Sequence, residues 1–120
     1  MLRCAITACT ALLAGCDVLS PRTCTTEFVY GIVVTAVDWT SGAPISDGLA
    51  GVTVKAGVTS DMVVAGNLLY GAGEDEGVHS LVVTAPGYEL WTRDGVRVEG
   101  DECHVTTNEL TAPLRPVPAP

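Results

Sequence analysis

The sequence predicts an all-β sandwich of approximately seven strands, and three observations carry that prediction. Turn formers are dense, with 13 glycines and 7 prolines, and they interrupt the chain too often for long helices. Between them lie short runs of β-branched and aromatic residues, such as Phe28, Val29, Tyr30, Ile32, Val33 and Val34, which suit a pleated, half-buried surface. A composition of 48% apolar and 17% charged residues supplies a core and excludes a disordered chain. At 120 residues there is room for one such core and not for two ordinary domains.

Taken in order, the chain opens with a stretch separate from the sandwich. Residues 1–15 carry one cation, Arg3, and an uncharged run from Cys4 to Leu13. This is signal-peptide anatomy, too short to cross ~30 Å of hydrocarbon as a permanent helix. The run ends in Leu13, Ala14, Gly15 and Cys16, which resembles the lipobox of bacterial lipoproteins. That resemblance implies cleavage before Cys16, a diacylglycerol on its sulfur and an acylated amino group, and hence stable membrane anchoring. Asp17 follows the cysteine, a position that favours inner-membrane retention in lipoproteins of the enteric type. Residues 16–23 then form a lipidated tether, of which residues 17–23 span at most about 25 Å. The expected location is the bacterial cell envelope, on a membrane facing the periplasm or the exterior. With Cys4 and Cys9 lost in the leader and Cys16 consumed by lipid, Cys24 and Cys103 remain as a matched pair for a disulfide outside the cytoplasm.

The first strand is expected over Thr25–Asp38, apolar on both parities as a central strand would be. Asp38 through Gly48, rich in Ser, Gly, Pro and Asp, reads as a long surface loop. Val52, Val54 and Ala56 alternate with Thr53 and Lys55, which assigns the first three to the core face of a second strand. Met62–Ala65 and Leu68–Tyr70 flank Gly66-Asn67, a tight hairpin signal. Gly71–Gly77 reads as an exposed loop around Glu74, Asp75 and Glu76. His79, Leu81, Val83 and Ala85 share one parity of the next strand, which ends at the Pro86-Gly87 turn. Tyr88–Arg93 and Val96–Glu99 form a hairpin across Asp94-Gly95, and a last strand runs from Cys103 to Thr111, with Pro113 marking its end or an edge.

The segments Gly31–Asp38, Ser41-Gly42-Ala43-Pro44-Ile45 and Gly51-Val52-Thr53-Val54 resemble the opening of carboxypeptidase regulatory-like domains. Gly77, His79, Leu81, Val83, Ala85, Pro86, Gly87 and Tyr88 are similar to a later strand and its Gly-Tyr corner in that family, with His79 where the family often has tyrosine. Cys103, Val105, Thr107, Leu110, Leu114 and Pro116 resemble the ending of its lipoprotein members. The resemblance implies a transthyretin-like, prealbumin-type sandwich over residues 24–115, with a proline-rich tail at 116–120. It also implies a noncatalytic module used for binding or folding support. Related transthyretin-like hydrolases end in Tyr-Arg-Gly-Ser, a tail this chain does not have, so their activity does not carry over.

A net charge of −8 with six Lys and Arg excludes nucleic acid, whose phosphates require a basic patch. His79 and His104 are the two imidazoles, and neither has metal-ligand spacing. His79 shares the parity of Leu81 and Val83 and is expected in the core. Ser80 points to the opposite face from His79 and is no nucleophile on adjacency alone. No catalytic residue, metal site or cofactor is therefore expected. Glu74, Asp75 and Glu76 lack Ca²⁺-loop spacing. Trp39, in a turn, and Trp91 are the candidate binding residues, since an exposed indole stacks on a sugar or anchors a protein; Tyr88 and Trp91 also fit core or corner positions. The expected function is a noncatalytic, membrane-anchored module contacting an envelope protein, with carbohydrate binding as the alternative.

Overall fold

The structure, a computed structural model, describes residues 24–118. The leader, Cys16 and the tether lie outside the described residues. Eight strands are formed: β1 (Tyr30–Asp38), β2 (Ala50–Lys55), β3 (Val58–Asp61), β4 (Val63–Ala65), β5 (Leu68–Gly73), β6 (Gly77–Thr84), β7 (Trp91–Val98) and β8 (Asn108–Leu114). They build two four-stranded sheets, β4-β5-β1-β8 and β3-β2-β6-β7, and no helix occurs among the described residues. The fold is an all-β sandwich. Ile32 and Val34 of β1, Leu69 of β5, Leu81 and Val83 of β6, Val98 of β7, and Ala112 and Leu114 of β8 meet between the sheets, each at most 2% exposed. Ile45 and Leu49 pin the long β1–β2 loop onto this core.

β1 is interior to its sheet, antiparallel to β5 and parallel to β8; Ile32, Val34 and Ala36 are buried between the sheets, while Val33, Thr35 and Val37 are half-buried on the outer face. It starts at Tyr30 rather than Thr25, because the preceding residues form an arm with its own attachments. β8 begins at Asn108, not Cys103, and runs on through Pro113, which its edge position tolerates.

Three further expectations are corrected. The core-facing residues of β2 are Gly51 and Thr53, both buried, while Val52 and Val54 are half-exposed on the outer face. Leu69 explains the inversion: a Cβ on Gly51 would stand 2.7 Å from its Cδ2, so β2 approaches β5 through a residue without a side chain. β3 is an additional strand, folded back on β2 by Ala56-Gly57, whose φ values of 50° and 80° make the turn that suits a two-residue hairpin. Asp94-Gly95 is no hairpin turn. β7 is continuous, and the two residues bulge opposite Ser80, between the His79↔Val96 and Leu81↔Arg93 pairs, with Gly95 at φ 68°. Gly66-Asn67 does form the expected β4–β5 hairpin, with Ala65 paired to Leu68.

Candidate binding end and its cleft

Chemistry-bearing side chains gather at the end of the sandwich where the N-terminal arm enters. Cys24 and Cys103 are joined in a disulfide, with Cα atoms 5.2 Å apart across 79 residues of sequence. Beside it, the Glu74 carboxylate accepts hydrogen bonds from the backbone N–H of Val29 (3.1 Å) and of Val105 (3.2 Å), and pairs with His104 Nδ1 at 2.6 Å. His104 Nε2 lies 2.8 Å from the Thr25 hydroxyl. Glu74 therefore clasps the arm, the β5–β6 connection and the loop before β8. The loop expected over residues 71–77 is thus shorter: β5 extends to Gly73, and Glu74 is held at φ 49°.

The hydrogen bond to His104 holds the Glu74 carboxyl below the usual range, reinforced by the two backbone donors and opposed by desolvation. The same bond raises His104, opposed by desolvation and helped by the charges of Glu74, Glu27 and Asp101. The raised imidazole contributes stability that is complete below its ordinary value of 6.5 and is lost as pH rises through its folded value. The lowered carboxyl contributes stability present above its ordinary 4.5 and lost as pH falls through its folded value. The thermal midpoint advantage of the wild type over His104→Ala is therefore expected to peak between pH 4.5 and 6.5. Melting curves across pH check this, and a pH-independent difference contradicts it.

A hydroxyl, an imidazole and a carboxylate in series resemble a nucleophilic relay in outline. In the structure, Glu74 and His104 together tie the arm at Thr25 and Val29 to the loop at Val105. The arrangement works as a clasp.

Next to the clasp lie two hollows. A cleft of about 290 Å³ is lined by Thr53, Lys55, Ala56, Val58, Ser60, Asp75 and His79. An adjoining hollow of about 200 Å³ shares Thr53, Ser60 and Asp75 and adds Tyr30, Tyr70 and Asp61. Thr53 (5% exposed) and His79 (1%) are the buried polar residues of the described chain, and both line this cleft. His79 is thus in the interior as its parity predicts. Its Nε2–H donates to the Asp75 carbonyl at 3.0 Å, which leaves Nδ1 as an acceptor, and that atom has no partner. Lys55 Nζ binds the Asp75 carboxylate at 2.5 Å and the Glu76 carbonyl at 2.6 Å.

An aromatic row borders the same end. Phe28 meets Tyr30 edge to face with centroids 5.1 Å apart, and Tyr30 meets Tyr70 at 5.3 Å. Phe28 lies over Gly73, where a Cβ would collide with its ring, yet remains 60% exposed. Val63, paired with Tyr70 and also exposed, extends the row to the sheet edge.

The two tryptophans lie elsewhere. Trp39 is exposed, but the Arg115 guanidinium sits over its ring at 4.2 Å. Trp91 is half-buried and packs on the core, as does Tyr88, whose hydroxyl donates to Asp38 at 2.8 Å. Backbone N–H donors from Ser41 and Thr40, with that hydroxyl, hold Asp38 low, Ser41 contributing most, and the bond to Asp38 raises Tyr88. Sequence reasoning missed the Phe28–Tyr30–Tyr70 row because Tyr70 is forty residues from Tyr30 in sequence. The glycines around Tyr70, at 71 and 73, were the available signal of close approach.

Among the described residues no group of three or more His, Cys, Asp or Glu is placed to hold a metal ion, and no helix is long and apolar enough to cross a membrane. No protein-family model matches the chain, and no curated protein matches it.

Proposed function

We propose that this chain is a noncatalytic binding module of the bacterial cell envelope, a transthyretin-like sandwich of the carboxypeptidase regulatory-like kind, carried on lipid at Cys16 and contacting a basic protein partner. The contact reading rests on one observation: a row of exposed Phe28 and Val63 with half-buried Tyr30 and Tyr70 between them borders an end that also carries Glu27, Glu74, Asp75, Glu76, Glu99, Asp101 and Glu102. Aromatic anchors with a charged rim are the usual anatomy of a protein contact, and the sign of the rim selects cationic partners. The β4 edge adds Val63, Val64 and Ala65, all exposed, without the charges or proline that protect edge strands. The anchor is supported by the leader and the Leu13–Cys16 stretch, and a tether of a few residues would keep this end, where the arm enters, close to the bilayer.

The test is photo-crosslinking in cells with a photoreactive phenylalanine analogue at position 28, against one at Leu90, which is 66% exposed on the connection leading into β7. Capture from position 28, absent from position 90 and abolished when Cys16→Ser leaves the domain unanchored, is the expected result. Equal capture from both positions contradicts it.

A further inference from the structure

We propose that the Cys24–Cys103 bridge is a redox lock on a strap, residues 24–28, which sets Phe28 in the aromatic row while the bridge stands and withdraws it when a dithiol reduces the bridge. The lock goes beyond the contact reading, and only its consequence for a partner rests on that reading.

The limits of the strap follow from its attachments. Residues 24–28 are all exposed, and none lies in a strand. The next residue is held differently: Val29 donates its N–H to the Glu74 carboxylate at 3.1 Å, and its carbonyl accepts the Glu74 N–H at 2.9 Å. Motion therefore hinges between Phe28 and Val29. Within the strap, Cys24 is bonded to Cys103, the Thr25 hydroxyl meets His104 Nε2 at 2.8 Å, and the Phe28 ring rests over Gly73 and edge to face with Tyr30. The two noncovalent attachments are weak. The Thr25 bond is exposed, so water competes for both of its partners. Phe28 remains 60% exposed, so its packing removes little apolar area from water. A segment with few buried contacts opens at a free energy well below that of the whole domain, and here the covalent bridge supplies most of the closure.

The bridge is placed to be opened, and the strap is the side that moves. Cys103 stays in a fixed turn, because its N–H and that of His104 donate to the Asp101 carboxylate at 2.8 and 2.9 Å. Cys24 is exposed and Cys103 half-buried, so an attacking thiolate reaches Cys24 Sγ more readily. The attack forms a mixed disulfide on Cys24 and breaks the bond to Cys103, which leaves as a thiolate and takes up a proton. The second thiol of the reductant loses its proton and attacks the first, closing the reductant's own disulfide and releasing the Cys24 thiolate to be protonated in turn. Two electrons and two protons thus pass from the dithiol to the bridge. For a chain carried on lipid at Cys16, opening lengthens the tether from residues 17–23 to residues 17–28, a reach of at most about 43 Å, while Phe28 leaves the row.

Phe28 is the one phenylalanine of the chain, so para-fluorophenylalanine gives the full chain, in detergent micelles, a single fluorine NMR signal that reports the ring against Tyr30. The methyl signals of Leu81, at 0% exposure, report the core in the same sample. The oxidised chain is expected to show a fluorine signal displaced from that of the free amino acid, in the wild type and in Thr25→Val alike. Dithiothreitol is expected to move it about half of the way or more to the free value in the wild type and fully in Thr25→Val, with the Leu81 signals unchanged. Removing the reductant in air is expected to restore it. A fluorine signal that does not move although alkylation shows Cys24 and Cys103 both reduced overturns the lock. Collapse of the Leu81 signals together with the fluorine shift also overturns it, since the bridge would then hold the whole fold and not a strap. The assay contains no partner, so its outcome is independent of crosslinking from position 28.

Discussion

Replacing both Cys24 and Cys103 with serine is expected to lower the unfolding free energy by about 4 to 5 kcal/mol, the chain-entropy value for a loop of this length. The bridge closes 79 residues, almost the whole described domain, so its loss releases most of the unfolded chain from constraint. Small domains have only about 5 to 15 kcal/mol of stability in total, which makes this cross-link comparable to the rest of the fold. The Glu74–His104 clasp would still hold the arm, so the native contacts survive while the balance with the unfolded state shifts. Denaturant unfolding of the double variant against the wild type measures this. A change under about 1 kcal/mol would mean that the unfolded chain is already compact or that the bridge is strained.

The second large effect is expected in the core. Leu81→Ala, at 0% exposure in β6, is expected to cost about 2 to 5 kcal/mol through lost transfer energy and a residual cavity. Val52→Thr, on the outer face of the neighbouring strand β2, is expected to cost about 1 kcal/mol or less, since β propensity is retained and little is buried. The contrast checks the facing of β2, because a core-facing Val52 would bring the second cost toward the first. Thermal or denaturant unfolding of the two single variants reads it directly.

The fold class was legible because its signals are local. Runs of β-branched residues, Gly66-Asn67, and the parity that places His79 with Leu81 and Val83 all act within a few residues. Parity failed at β2 for a non-local reason. Val52 and Val54 look like a core face and Thr53 does not, but the approach of Leu69 leaves room only for Gly51, and that sets the register of the whole strand. Asp94-Gly95 misled in the same way: a turn dipeptide was absorbed as a bulge because β6 provides a continuous partner.

The candidate site was less legible still. Glu74 and His104 are 30 residues apart, and Tyr30 meets Tyr70 only once β1 and β5 pair. Trp39 carries Arg115 on one face of its ring and stays 54% exposed, and Trp91 is half-buried against the core. The pairing of Cys24 with Cys103 is what the cysteine positions give under the expected loss of Cys4 and Cys9 and lipidation of Cys16, and the structure joins the same two residues.

The most direct measurement of the central claim is the affinity of the partner captured from position 28 for the purified wild-type chain, for Phe28→Ser and for Trp39→Ala, at low and high salt. The account predicts that Phe28→Ser weakens binding about tenfold or more, as for an aromatic anchor. It also predicts that Trp39→Ala binds as the wild type does and that salt weakens the complex by screening its acidic rim. Equal affinities for Phe28→Ser and the wild type, unchanged by salt, would contradict it.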